Sequence, residues 1–307
     1  MKKISIIITC IFLLSGYNFL YGQYRTTSAL VEILSSDDFE GRRPGTDGME
    51  RATRFIEQYL EETEIPPFFQ YSYRDTLDVY GAESYNLVGI IHSAGHTDEY
   101  ILIGAHLDHL GMLPDGSVYN GANDNASGVT AVLQIAEALK RHEITKNVII
   151  AIFTGEESGL LGSRHLAKRL KAIDINPSYM INFEMIGVPL KSGADKVYIT
   201  GHEISNFAEV SNDLLDEEFI VYEQVESDFG LFRMSDNYPF FIEFDIPSHT
   251  LSTFDFQNYE YLHHIMDEYS KLDTEHMEGI INKSADLILK LIKTNAQIEL
   301  AKQEVTP

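Results

Sequence analysis

Tryptophan is absent from this 307-residue chain, and cysteine occurs once, at Cys10. A single thiol cannot close an intramolecular disulfide, so no disulfide framework holds the fold. Cys10 also sits inside an N-terminal apolar run. If that run is removed, the mature chain has no cysteine nucleophile either, and stability must come from the core, helped by any bound metal. Positive charge is scarce: 23 Lys and Arg stand against 47 Asp and Glu, a formal net charge of −24. A phosphate backbone would be repelled, which argues against nucleic acid as a partner. The apolar run at residues 4–14 is short and interrupted, so no stable membrane span is expected. There is no internal repeat and no low-complexity tract.

The chain starts Met1-Lys2-Lys3, continues through that apolar run and reaches a small residue at Gly22. A basic start, an apolar centre and a small residue read as a secretory signal peptide, cut after Gly22. The expected organisation is therefore residues 1–22 as signal and 23–307 as one domain, located in the periplasm or outside the cell. An uncleaved N-terminal anchor is the alternative. Hydrophobic residues make up 44% and are spread along the chain, enough to bury a core. The length suits a single large α/β domain.

Helical spacing covers residues 28–34 and 49–60, separated by a turn-rich stretch that ends Glu40-Gly41-Arg42-Arg43-Pro44-Gly45. Beyond Pro66-Pro67 the pattern alternates. Residues 85–92, 100–106, 147–153, 179–183 and 196–200 read as strands. Residues 126–141, 160–170, 206–215 and 274–293 read as helices. Residues 147–153 are almost wholly apolar, the mark of a strand covered on both faces. Alternation of this kind predicts an α/β fold: a three-layer α/β/α sandwich around a mostly parallel mixed sheet. Active sites of such sheets form at the carboxyl edge of the strands.

Metal-capable side chains recur where those strands end. His106 closes one strand, with Asp108 placed to hold its ring. Asp124, in Asn120-Gly121-Ala122-Asn123-Asp124-Asn125, leads into a long helix. Small neighbours there leave room for a metal, although Asp124 or Asn125 could simply cap that helix. Glu156 and Glu157 follow a buried strand. Adjacent carboxylates cannot point the same way, so one can bind metal while the other acts as general base. Glu184 stands in a strongly apolar strand, where an unpaired charge is costly and a divalent cation is a good partner. Tyr261-Leu262-His263-His264 supplies a second imidazole. Together His106, Asp124, Glu157, Glu184 and His263 offer two nitrogens and three carboxylates, a set that suits two zinc ions bridged by one carboxylate.

Through these motifs and Ser235-Asp236-Asn237-Tyr238-Pro239-Phe240, the sequence resembles the di-zinc exopeptidase family of bacterial leucyl aminopeptidases, which also contains glutamate carboxypeptidases and glutaminyl cyclases. The likeness covers most of the chain from near Leu34. It implies a zinc exopeptidase domain over residues 23–307 that hydrolyses the N-terminal peptide bond of peptides with a free amino terminus. By the resemblance, His106 and Glu184 bind one zinc, Glu157 and His263 the other, and Asp124 bridges them. Asp108 would orient His106, Glu156 would be the general base, and the peptide bond after Asp124 would be cis. His263 is preferred to His264 because the family's histidine stands four residues before an aspartate, here Asp267. One position departs from the pattern: the family usually has aspartate where this chain has Glu184. The cyclases carry a tryptophan beside the final histidine, which this chain lacks, and the glutamate carboxypeptidases carry inserted domains for which it has no room. A catalytically inert binding protein on the same scaffold would normally have lost a ligand or the base.

Overall fold

Three strands of the molecule run parallel, side by side, and stop at the same level; this arrangement sets the position of everything functional. The computed structural model describes residues 25–294 and 296–302. The expected signal peptide, Cys10 included, lies outside the described residues.

One eight-stranded sheet contains β1 (Arg74–Val79), β2 (Ala82–Ile91), β3 (Tyr100–His106), β6 (Asn147–Phe153), β7 (Pro177–Phe183), β8 (Val197–Ile199), β9 (Ile220–Val221) and β10 (Ser248–Ser252). β4 (Gly111–Met112) and β5 (Val118–Tyr119) form a separate small ribbon. The spatial order of the main sheet is β1-β2-β6-β3-β7-β10-β8-β9. The central run β6-β3-β7-β10 is parallel throughout, whereas β1 and β2 on one side and β8 on the other pair antiparallel. The sheet is thus mixed with a parallel centre, as the alternating pattern predicted.

Period-two alternation decides which side each residue serves. Val148, Ile150 and Ile152 of β6, with Ile101 and Ile103 of β3, face one core; there lie α1 (Thr27–Leu34), α2 (Asp47–Glu62), α3 (Gly128–Lys140) and α8 (Thr274–Lys293). Ile149, Ala151 and Phe153, with Leu102, face a second core formed with α4 (Leu161–Ala172) and α7 (Asn237–Phe244). α5 (Phe207–Leu215) packs on the first side through Phe207, and α6 (Gln224–Phe229) lies in the connection between β9 and α7. Each fully buried Ile or Leu contributes roughly 1.5–3 kcal/mol of apolar transfer, which makes this double-sided burial the main force holding the centre of the sheet. Gly104 is required by it: a Cβ there would lie 2.5 Å from the Phe153 ring.

Helix starts follow local chemistry. Thr46 accepts the Met49 N–H at 3.2 Å ahead of α2, and Asp273 accepts the His276 N–H at 3.0 Å ahead of α8. Among the described residues no helix is long and apolar enough to cross a membrane.

Candidate metal centre

His106 is the last residue of β3 and is in register with Phe153, the last residue of β6. Directly after Phe153 the chain turns through Thr154-Gly155 into Glu156 and Glu157, and Gly155 takes the left-handed backbone (φ 69°) that this turn needs. On the other side of β3, β7 ends at Phe183 and presents Glu184. Ligand-capable atoms of His106, Glu156 and Glu184 consequently lie within 4.8 Å of one another. His106 Nδ1 meets the Asp108 main-chain carbonyl at 3.1 Å. With Nδ1 turned to that carbonyl, the buried Nε2 points into the cluster, where the Asp124 carboxylate is 3.4 Å away. Ser235 Oγ donates a short hydrogen bond to Glu184 Oε2.

The rest of the cluster is carried by loops. Asp124 lies in a wide turn, Ala122–Ser127, ahead of α3, and its peptide bond to Asn125 is cis. The Asp267 carboxylate accepts both the Asn123 and Asp124 N–H groups, at 2.8 and 3.0 Å, and the Tyr259 hydroxyl at 2.5 Å. The turn is also pinned from below, where Asn125 Oδ1 accepts the Gly128 and Met185 N–H groups at 3.0 and 3.2 Å. Arg42 is wholly buried and donates to the carbonyls of Leu34, Leu107, Asn120 and Gly121 at 2.6–2.8 Å, stitching the segment after β3 to the one before Asp124.

Asp124 stands between two imidazoles. Its Oδ1 is 3.4 Å from His106 Nε2 and its Oδ2 is 3.2 Å from His263 Nε2. His263 Nε2 is also 3.0 Å from Glu157 Oε2, and the other oxygen of Glu157 lies 2.7 Å from His109 Nδ1. His109, Asp124 and Glu157 form the second group whose ligand-capable atoms converge within 4.8 Å.

So many carboxylates in one buried place disturb each other's protonation. Burial pushes Glu156 well above the usual carboxylate range and Glu184 up to about 7, with neighbouring negative charge adding to both. Burial also lifts Asp108 to about 7 and Asp236 to about 6. Burial would raise Asp124 too, but hydrogen bonds and charge from His106, His263 and His109 outweigh it and hold that carboxylate well below its ordinary value. Burial opposes a charged His106, yet the carboxylates of Glu156, Asp124 and Glu184 drive its pKa well above normal. Hydrogen bonds to Asp124 and Glu157 raise His263 to about 10. A cluster that must take up protons to offset its own negative charge, with imidazoles set among buried carboxylates, has the chemistry of a divalent cation site.

All five ligand candidates, His106, Asp124, Glu157, Glu184 and His263, are brought together, and the Glu156 carboxylate joins them. Asp108 is used differently from the expectation. It reaches the His106 ring through its main-chain carbonyl, while its carboxylate accepts the Glu156 N–H at 3.2 Å. The reason is that the chain turns at the strand end, so the side chain two residues on points across to the β6 loop. His264 faces away, its Nδ1 accepting the Met266 N–H at 3.1 Å. Sequence reasoning missed His109, which is buried against Glu157. Its signal was its place three residues after His106 in the same motif. Also missed was the function of Asp267, which joins the His263 loop to the Asp124 turn.

Beside the cluster opens a cavity of about 420 Å³, floored by Asp124, Glu156, Glu157, Glu184 and His263. Met185, Tyr198, Phe254, Phe256 and Leu262 make an apolar wall, and Ser235, Thr250 and Ser252 a polar one.

Solved structures share this architecture. The Legionella pneumophila LapA aminopeptidase superposes with a TM-score of 0.70 at 18% identity, covering 88% of this chain and 70% of that one. Porphyromonas gingivalis glutaminyl cyclase superposes at 0.64 and 15% identity, covering 86% and 96%. At these identities the likeness establishes the fold. In sequence, leupeptin-inactivating enzyme 1 of Streptomyces exfoliatus is 37% identical over 164 residues, which is 52% of this chain and 34% of that enzyme. The chain spans about a quarter of the length of the fungal probable zinc metalloproteases it also matches. The sequence model of peptidase family M28 matches residues 86–288, a stretch that runs from β2 into α8 and holds every residue of the carboxylate–imidazole cluster. By that match, this chain belongs to peptidase family M28.

Proposed function

We propose that this protein is a zinc-dependent aminopeptidase that hydrolyses the first peptide bond of peptides with a free amino terminus. The position of Asp124 carries the reading: its two oxygens face His106 and His263 respectively, which divides the donors into two halves sharing one carboxylate. That division supports two zinc ions, one held by His106 and Glu184, the other by Glu157 and His263, with Asp124 common to both. When bound, zinc supplies an acidified water near neutral pH and polarises the scissile carbonyl.

The protein's own residues do the rest. Glu156 lies in the same cluster as His106 and Glu184 and lines the cavity, so its carboxylate can take a proton from the attacking water and return it to the leaving amine. Asp108 holds the Glu156 main chain through its N–H, fixing where that base stands. His109 positions Glu157. The surplus of carboxylates on the cavity floor attracts the substrate's ammonium group and restricts cleavage to chain ends. The lysine-led apolar segment at residues 1–22 supports export to the periplasm or the medium, with residues 23–307 as the mature enzyme.

Zinc-loaded protein is expected to release the chromophore from an aminoacyl anilide and to lose that activity on chelation, with return on zinc addition. Cyclisation of N-terminal glutamine peptides without amino-acid release would assign the cyclase instead. Failure to bind zinc at all would leave an inert binding protein.

A further inference from the structure

The cavity beside the cluster is not acidic throughout. Arg164, in the first turn of α4, and Arg233, at the end of the short turn Leu231–Arg233, both line it. Six other arginines among the described residues pair with carboxylates: Arg25, Arg51, Arg54, Arg74, Arg141 and Arg169. Arg42 is saturated by carbonyls. Among the described residues Arg43, Arg164 and Arg233 have no carboxylate within 4 Å, and of these three Arg164 and Arg233 are the ones that line the cavity. Arg164 donates its Nε to the Gly159 carbonyl at 3.3 Å, which ties the guanidinium to the far end of the loop bearing Glu156 and Glu157. Its terminal nitrogens remain available. The site is therefore lined by residues of both signs, with Asp124, Glu156, Glu157 and Glu184 against Arg164 and Arg233.

We propose that Arg164 and Arg233 bind a carboxylate of the peptide being cleaved, so that the enzyme takes short peptides with a carboxylate close to the free amino terminus. The inference rests on the aminopeptidase reading and adds a substrate class to it. A zwitterion fits such a site at both ends: the ammonium meets the acidic floor, the carboxylate the arginine wall. Guanidinium is suited to the second task because it offers paired N–H groups to a carboxylate. The net charge of −24 sharpens the argument, since a chain so acidic offers an anion few favourable places. Length follows from reach: the two arginines and the acidic floor line one cavity of about 420 Å³, so the bound carboxylate stands within a few residues of the ammonium. The carboxylate can come from the C-terminus of a di- or tripeptide or from an acidic side chain, and the test separates the two.

Zinc-loaded full-length protein is assayed on Leu-Gly-Gly, its C-terminal amide, Leu-Glu-Gly-amide and a leucyl anilide, alongside the double variant R164Q/R233Q. Within one preparation the ratio of kcat/KM for acid over amide is independent of how much protein is folded. We expect wild type to prefer the free acid by about tenfold or more, mostly in KM, with the preference weakened by salt. In the double variant the ratio falls toward one. Good turnover of Leu-Glu-Gly-amide would assign the side-chain source, and poor turnover the C-terminus; each fits carboxylate binding. Equal rates for acid and amide together with poor turnover of Leu-Glu-Gly-amide, with the anilide cleaved, overturn the proposal and leave the aminopeptidase reading intact. So does a preference that survives in the double variant. Cleavage of none of the four by wild type removes the aminopeptidase reading itself, and the proposal with it.

Discussion

The two halves of the metal-capable cluster are built on different principles. His106, Glu156 and Glu184 hang from the ends of three adjacent parallel strands, and the sheet beneath them is buried on both faces. His109, Asp124, Glu157 and His263 are held mainly by loops, and the His263 side chain is 51% exposed. In the first half, backbone hydrogen bonding of the sheet sets the geometry before any side chain contributes. In the second, position depends on a few buried polar groups, above all Asp267 and Arg42, that tie one loop to another. A strand end offers precision without further support, while a loop must be stitched. The stitching residues then become as necessary as the ligands they serve.

The largest effect should come from the strand-end half. Glu156→Gln removes the base and keeps shape and hydrogen-bonding length. We expect kcat to fall by about 10³-fold or more, with zinc content per chain unchanged. Retained activity would remove Glu156 from the mechanism. The loop half is tested next by Asp267→Ala. This deletes the acceptor for the Asn123 and Asp124 main-chain N–H groups and for Tyr259 while leaving every proposed ligand side chain in place. Zinc content should fall from two toward one per chain, and kcat/KM by about 10–100-fold, with the far-UV spectrum retained. Two tightly held zinc ions in that variant would mean the Asp124 turn is preorganised without its tie.

The same contrast governs what was legible in the amino-acid sequence. Strands β3 and β6 could be read to the residue, because a strand buried on both faces has nowhere to put a polar side chain until it emerges. The ligands at their ends were legible for the same reason. β10, which borders the cavity, was not. Its sequence Ser-His-Thr-Leu-Ser has no apolar run, and it is buried because each polar group finds a partner: His249 bridges the Thr200 carbonyl and Ser205, and Thr250 donates to Asn237. Partners 13 to 49 residues away leave no trace in local periodicity. Likewise α7 begins inside the late motif and went unread, since Tyr-Pro-Phe-Phe lacks helical amphipathicity. Among site residues, His109 was missed because nothing in its neighbours announces Glu157, which arrives 48 residues later.

A smaller effect is expected from shortening the acidic arm in the strand-end half. Glu184 is held by the Ser235 hydroxyl and lies 3.5 Å from the Asn182 amide. Glu184→Asp draws the carboxylate back by one methylene, about 1.5 Å, and the Ser235 contact is lost. The zinc affinity of that half should drop about tenfold in a chelator competition. An unchanged affinity would show that His106 and Asp124 dominate that half.

The smallest effect separates the halves by pH alone. In metal-free protein Glu184 is raised from 4.5 to about 7 and Asp108 from 3.8 to about 7. A folded-state value above the unfolded one means a stabilising contribution that is complete below the unfolded value and disappears as pH rises through the folded one. For these two carboxylates that loss runs from about pH 4 to 7, and Glu156 and His106, both raised well above their ordinary values, extend it to higher pH. His263, raised to about 10 by its bonds to Asp124 and Glu157, has the same sign, and its contribution disappears between about pH 6.5 and 10. The depressed Asp124 and Glu157 act oppositely, and only at the acid end, where their contribution is lost as pH falls below the ordinary carboxylate range. The Tm of metal-free protein should therefore decline in two stages above pH 4. His263→Gln should shrink the alkaline stage, leaving the part that belongs to His106, and spare the acid one. Zinc requires the deprotonated ligands, so the gain in Tm on adding it should be larger at pH 7.5 than at pH 5.5. A zinc-induced gain that is flat across this range would mean that the buried carboxylates give up no protons to the metal, and the division into two differently built halves would then have no electrostatic counterpart.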